Sequence, residues 1–156
     1  MAEPRVHHRS PLSGVAVTGR MGRTIGVAGV RIREIEAPAG LAIIARRGRS
    51  ADVAAVLSRH VGSTVMDAAK RAAGNGIAIS GMSPGQWLAL AQPSADRAVL
   101  DALRADLDGL AAVTDQADGR VVIEVSGNRA RDALAKGIAV DLDPVAFKVG
   151  DLAQTS

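Results

Sequence analysis

Short apolar runs broken by turn residues are what most constrain this chain. LAIIAR (41–46), IAISGM (77–82) and QWLALA (86–91) each have strand length, and Ser83-Pro84-Gly85 joins the last two as a tight turn. An earlier segment, RIREIEA (31–37), alternates Ile32, Glu34 and Glu36 with Arg33 and Ile35 before Pro38 and Gly40 end it. Helical patterns lie between the runs. Ser50 is placed to cap a helix over 51–60 with Val53, Val56 and Leu57 on one face. Ser94 is placed to cap a second helix with an apolar stripe of Val99, Leu100, Leu103 and Leu107. Asp96, Arg97, Asp101, Arg104 and Asp108 fill its wet side.

Two regions are harder to read. In residues 62–76, TVMDAAKRAA has helical character, but Gly74-Asn75-Gly76 closes the span early. Further on, AAVTDQ (111–116) and GRVVIEVS (119–126) flank Asp118-Gly119, which predicts a hairpin with Val121, Ile123 and Val125 on one face. A helix over 128–137 is expected next, with Ala130, Ala133 and Leu134 inward and an Asp132–Lys136 pair outside.

From 41 to 116 this order, β-α-β-β-α-β, is that of a ferredoxin-like α+β unit, an antiparallel sheet with two helices on one face. The strand at 120–126 and the helix after it open a second unit that the chain does not complete. The expected organisation is a basic, Gly-rich N-terminal arm (1–30) and one α+β domain (31–156). That domain divides into the ferredoxin-like unit (31–117) and a partial second unit (118–156).

Composition narrows the chemistry. Trp87 and Phe147 are the only aromatic residues, so the core must be built from Ala, Val, Leu and Ile. With no cysteine, disulfides, thiol catalysis and thiolate metal sites are excluded. Three histidines, two of them adjacent (His7 and His8), make a zinc site a poor reading. The apolar runs fall far short of a membrane helix, and no signal-peptide core follows the N-terminal charges, so the cytoplasm is the expected location. Residues 1–50 carry a balance of +6 and residues 51–156 a balance of −3. A basic arm on a mildly acidic body suits nucleic acid or the acidic face of a partner subunit. The glycines of GRMGRTIG (19–26) follow neither the dinucleotide pattern nor the P-loop.

No catalytic constellation emerges. Asp141 and Asp143 in VDLDP would share one side of an extended segment, but they have no third ligand nearby. Asp115 and Asp118 surround the expected hairpin turn, and His60 ends a helix where its imidazole can meet free carbonyls. In EVSGNRARDALAKG (124–137) a strand ends at Ser126-Gly127-Asn128 just before a helix. That arrangement offers a phosphate cradle, or only a corner capped by Asn128. Arg129 and Arg131 in the first turn oppose the helix dipole unless an anion or an acidic surface offsets them.

SGNRARDALAKGIAVDLDPVAFKVGDLAQTS (126–156) resembles the gamma subunit of heterotetrameric bacterial sarcosine oxidase. In that family a strand ends in Ser-Gly-Pro, enters an Arg-Ala-Arg-Asp-x-Leu-Ala-Lys-Gly helix, and continues through Asp-Leu-x-Pro-x-x-Phe to Ala-Gln-Thr. SPLSG (10–14) is similar to the family's start, and MSPGQWLAL (82–90) to its strand pair anchored by Trp87. The resemblance implies a fold related to part of the folate-binding fold of the glycine cleavage T-protein. It implies a non-catalytic subunit that supports the oxidative demethylation of sarcosine to glycine with tetrahydrofolate and oxygen. FAD, FMN, NAD and tetrahydrofolate are then expected in the alpha and beta subunits and zinc in the delta subunit. No catalytic, cofactor or metal residue is expected in this chain, and its arginines at 129 and 131 are read as facing an acidic partner surface.

Asn128 stands where the family has Pro, and both suit a helix start. The Arg-rich segment 20–50 is hard to align, and the family continues beyond Ala-Gln-Thr with another strand pair and a helix, so the chain reads as C-terminally truncated relative to the family, either a truncated gene product or a genuinely short variant. Two rival readings accompany this one. The first is a stand-alone folate-binding one-carbon protein related to the T-protein; the second is a nucleic-acid module using the basic arm.

Overall fold

In the computed structural model, the described residues are 10–22, 25–35, 39–92, 95, 97–116 and 119–155. Strand β1 (Arg31–Ile35) and strand β2 (Gly40–Ala45) are followed by helix α1 (Ser50–Val61). Next come β3 (Arg71–Gly74), β4 (Ile77–Ser83), β5 (Gln86–Ala91), helix α2 (Ala98–Asp106) and β6 (Ala111–Asp115). Strand β7 (Val122–Ser126) and the short helix α3 (Ala130–Leu134) complete the series.

Five strands form one antiparallel sheet in the order β3-β4-β5-β2-β6, and β1 pairs with β7 as a separate antiparallel ribbon. Register in the large sheet follows from alternation: Ile43 faces Trp87 on one side and Val113 on the other, and Ile79 faces Ala89. These side chains share one face. On it, α1 lays Val53, Val56, Leu57 and Val61, and α2 lays Leu100 and Leu103, into a single buried cluster closed by Leu107. Both helices repeat apolar residues at three- and four-residue intervals, so each presents one stripe to the sheet.

Residues 62–76 are where the helical option fails. Asn75 (φ 49°) and Gly76 (φ 79°) are both left-handed, as a two-residue primed turn requires, and they join β3 to β4 as a hairpin. The turn packs on the end of α1, where the Asn75 side-chain amide donates to the His60 carbonyl (3.1 Å). Gly62 (φ 77°) ends that helix in the left-handed cap and donates its N–H to Ser58 O.

Other expectations shift as well. Ser50 is the first residue of α1 rather than its cap; Arg49 takes the cap position with no side-chain cap bond and pairs with Asp52 (3.1 Å). The hairpin expected between 111–116 and 119–126 does not form among the described residues, because β6 pairs with β2 and β7 with β1. Glu36, Ala37 and Pro38 at the end of the first expected strand lie outside the described residues. So do His7, His8, Ser94, Asp96 and Asp118. Residues 10–22 and 25–30 contain turns and no regular element.

In the large sheet, two glycines mark unusually close backbone approaches. A Cβ on Gly81 would stand 1.9 Å from the Ala68 carbonyl oxygen, and one on Gly74 would stand 2.3 Å from that of Val61. Gly81→Ala is expected to destabilise the fold by about 1–3 kcal/mol, since the obstruction is backbone and cannot rotate away. Gly137→Ala, with open space around it, is expected to stay within about 0.5 kcal/mol of the parent. Urea unfolding followed by Trp87 fluorescence checks both.

Candidate interaction surface

The corner at 126–131 is built around one carbonyl. Gly127 (φ 112°) passes so close to Gly29 that a Cβ there would stand 2.4 Å from the Gly29 oxygen. The same oxygen accepts the Arg129 N–H (3.0 Å), and the Ala130 N–H turns back to Gly127 O (3.1 Å). Two of the corner's donors, the N–H groups of Arg129 and Ala130, are therefore spent inside the chain. Helix α3 spans five residues with Arg129 at its cap position, so Asn128 does not cap it and the expected 128–137 helix is shortened. The corner braces the 126–131 turn against Gly29.

Its arginines hold the chain to itself. Arg129 packs its aliphatic stem over Gly29 and pairs with Asp132 (3.3 Å), which takes the place of the expected Asp132–Lys136 pair. Arg131 donates to the carbonyl oxygens of Leu142 and Phe147 (3.2 Å for the latter), gathering the loop that follows. Ala130 and Leu134 are half-buried, whereas Ala133 is exposed.

Asp141 and Asp143 are not aligned for acid–base work. Asp141 Oδ1 accepts the Asp143 N–H (2.9 Å), and Asp143 Oδ1 accepts the Val145 N–H (2.8 Å). These are the local turns that aspartate makes with backbone two residues on. His60 Nε2 lies 2.9 Å from Asp106 Oδ2, which ties the end of α1 to the end of α2, and Asp115 pairs with Arg97. Among the described residues no group of three or more His, Cys, Asp or Glu is placed to hold a metal ion. None of their helices is long and apolar enough to cross a membrane.

The segment after α3 runs back along the large sheet. Arg71 N–H donates to Gly150 O (2.8 Å) and Leu152 N–H to Ala69 O (3.1 Å), so Lys70 and Asp151 face each other as an isolated antiparallel bridge. Asp151 also pairs with the Lys70 ammonium and accepts the Lys148 N–H (2.8 Å). Farther on, Gln154 Nε2 donates to Met82 O (3.0 Å). Beside it opens a groove of about 210 Å³ floored by Ala42, Ile44, Met82 and Leu88 and bordered by Arg120 and Gln154. Neither Ile44 nor Arg120 stood out in the sequence. The available signal was the unbroken apolar character of 41–45, which leaves both faces of a strand apolar instead of one.

Asp151 has its pKa lowered, first by the Lys70 ammonium bond, then by the Lys148 N–H and by the charges of the two lysines. A carboxylate held below its unfolded-chain value contributes fully above that value and loses its contribution as pH falls through the folded one. This returning segment, the strap (148–154), is therefore expected to stay docked until pH drops below the ordinary aspartate range. Asp151→Asn is expected to loosen it already at neutral pH. Amide exchange at Arg71 and Leu152 should quicken several-fold, with the Trp87 unfolding midpoint unchanged.

Comparison with known proteins places this geometry in a family. A model of the "Sarcosine oxidase, gamma subunit family" matches residues 47–155, which include α1, the strands β3–β7, α2, α3 and the strap. No curated protein matches significantly. Among solved structures, the chain is similar to one in "Heterotetrameric Sarcosine Oxidase from Corynebacterium sp. U-96 in complex with pyrrole 2-carboxylate". The TM-score is 0.64 at 28% identity, over 77% of this chain. The match spans 61% of that chain's length. With the family match running over most of its length, this chain belongs to the sarcosine oxidase gamma subunit family.

Proposed function

We propose that the chain is the non-catalytic gamma subunit of a heterotetrameric sarcosine oxidase and serves assembly and structural support. One observation carries this: the family match across 47–155, to which the similarity to a chain of a heterotetrameric sarcosine oxidase adds. In this reading the oxidative demethylation of sarcosine, with tetrahydrofolate and oxygen, belongs to the alpha, beta and delta subunits. So do FAD, FMN, NAD and zinc. The complex works in the cytoplasm.

The fold is read more finely here as well. The order β6-β2-β5-β4, with two helices on one face, supports a ferredoxin-like unit to which β3 adds an edge strand. The ribbon and the strap are the partial second unit, and the whole is related to part of the T-protein folate-binding fold. Trp87 is buried and Phe147 half-buried, so neither is free to stack on a pterin, which weighs against a stand-alone folate protein.

Co-expression with alpha, beta and delta subunits of sarcosine oxidase, followed by size separation, tests the proposal. The chain is expected to elute with the assembled complex. Separate elution, while the others assemble and turn over sarcosine, would overturn the subunit reading. Retention of the chain on DNA or RNA at low salt, abolished by salt, would favour the nucleic-acid rival instead.

A further inference from the structure

The sheet has two faces, and only one is closed by helices. On the other, cross-strand register runs straight from Thr114 through Ala42, Leu88 and Ser80 to Arg71. The neighbouring row is Ala112, Ile44 and Gln86. An antiparallel sheet that faces water alternates apolar and polar residues, whereas a strand covered on both sides reads as a continuous apolar run. Strands β2, β4 and β5 (GLAIIA, IAISGMS and QWLALA) are of the second kind. The cover is partial. Ser80 and Leu88 are buried, but Ile44, on a strand paired on both sides, is 50% exposed.

The charges around this opening have one sign. Neither row contains an acidic residue, Arg71 ends one of them, and Arg120 borders the groove beside Ile44. Neither guanidinium has a carboxylate partner among the described residues. Five other cations, Arg33, Arg49, Lys70, Arg97 and Arg129, each have an acid within the chain. An apolar floor with the unopposed Arg120 at its border complements a segment carrying an apolar side chain next to a carboxylate.

We infer that this groove docks an acidic segment of a neighbouring subunit, with one apolar side chain seated against Ile44 and Leu88 and a carboxylate on Arg120. The inference rests on the subunit reading and adds to it a face and a partner chemistry. Arg120, rather than Arg129 or Arg131, is then the arginine that meets the acidic surface, since the corner arginines are occupied at home.

Two measurements on the assembled complex test it. A benzoylphenylalanine at position 44 is expected to cross-link, on irradiation, to a segment of another subunit that contains Asp or Glu. Cross-links to a second copy of this chain, to its own strap, or to a segment without acids would each overturn the inference. Ile44→Asp and Arg120→Glu are expected to weaken entry into the complex about tenfold or more, with unchanged thermal unfolding of the isolated chain. Arg120→Glu guards against a folding artefact at position 44, because Arg120 is exposed and makes no ion pair among the described residues. If the parent chain enters the complex and both variants enter equally well, the groove inference fails while the subunit reading stands. If the parent itself stays out, both fail.

Discussion

The rest of the fold depends on how Trp87 is sealed. In a chain with two aromatic residues, this indole is the largest volume available to the core, and only 1% of it is exposed. Its N–H donates to the Met66 carbonyl (3.1 Å), which draws the 63–69 segment over β5. The same segment is tied back to α1 by the Val65 N–H on Ser58 Oγ (2.9 Å). It then comes so close to the sheet that only glycine fits at 81, the cross-strand partner of Trp87. One bulky side chain thus dictates a glycine opposite, a loop above and a hydroxyl on the neighbouring helix. The aliphatic residues fill what remains.

The parts legible in the sequence are those fixed by local periodicity. Strands β2, β4 and β5, and the inward faces of α1 and α2, followed from two- and 3.6-residue repeats because the same residues that set the pattern are the ones buried. Strand β3 was missed because Arg71-Ala72-Ala73-Gly74 has little β preference, although Asn75-Gly76 advertised the turn that makes it a strand. The partner of β7 was misread for a different reason. Asp118-Gly119 suggested a local hairpin, but pairing is decided by which strand has a free edge within reach, and here that is β1. No local signal encodes a contact between residues 31–35 and 122–126.

The candidate chemistry dissolved in a similar way. Aspartates at 141 and 143, His60, Asp115 and Arg131 are polar side chains near chain reversals or helix ends, and each finds its partner in nearby backbone or in an adjoining element. Chain reversals leave backbone donors and acceptors unpaired, and polar side chains placed there supply the missing partners. A motif such as Ser126-Gly127-Asn128-Arg129 therefore looks like a site when read alone. What distinguishes the two is whether the donors remain available; here the Gly29 carbonyl takes the Arg129 N–H and the Gly127 carbonyl takes that of Ala130. In that stretch Gly127, Arg129 and Arg131 each have a geometric task within the chain.

The ribbon of β1 and β7 extends this reasoning to what surrounds the chain. A two-stranded ribbon is marginal in water unless a third strand or a packed face supports it. Its own supports are slight: a surface pair between Arg33 and Glu124 (3.0 Å), the Ser10 hydroxyl donating to the Glu34 carboxylate, and the Gly29–Gly127 corner. An exposed ion pair of this kind is worth about 0–1 kcal/mol. Meanwhile Ile32 and Ile123, which a packed ribbon would bury, point outward at 70% and 50% exposure. Apolar exposure on the ribbon and on the open face of the large sheet falls in two places, each short of the cover that its sequence is written for. Burying either surface would be favourable, because the hydrophobic effect scales with the apolar area removed from water.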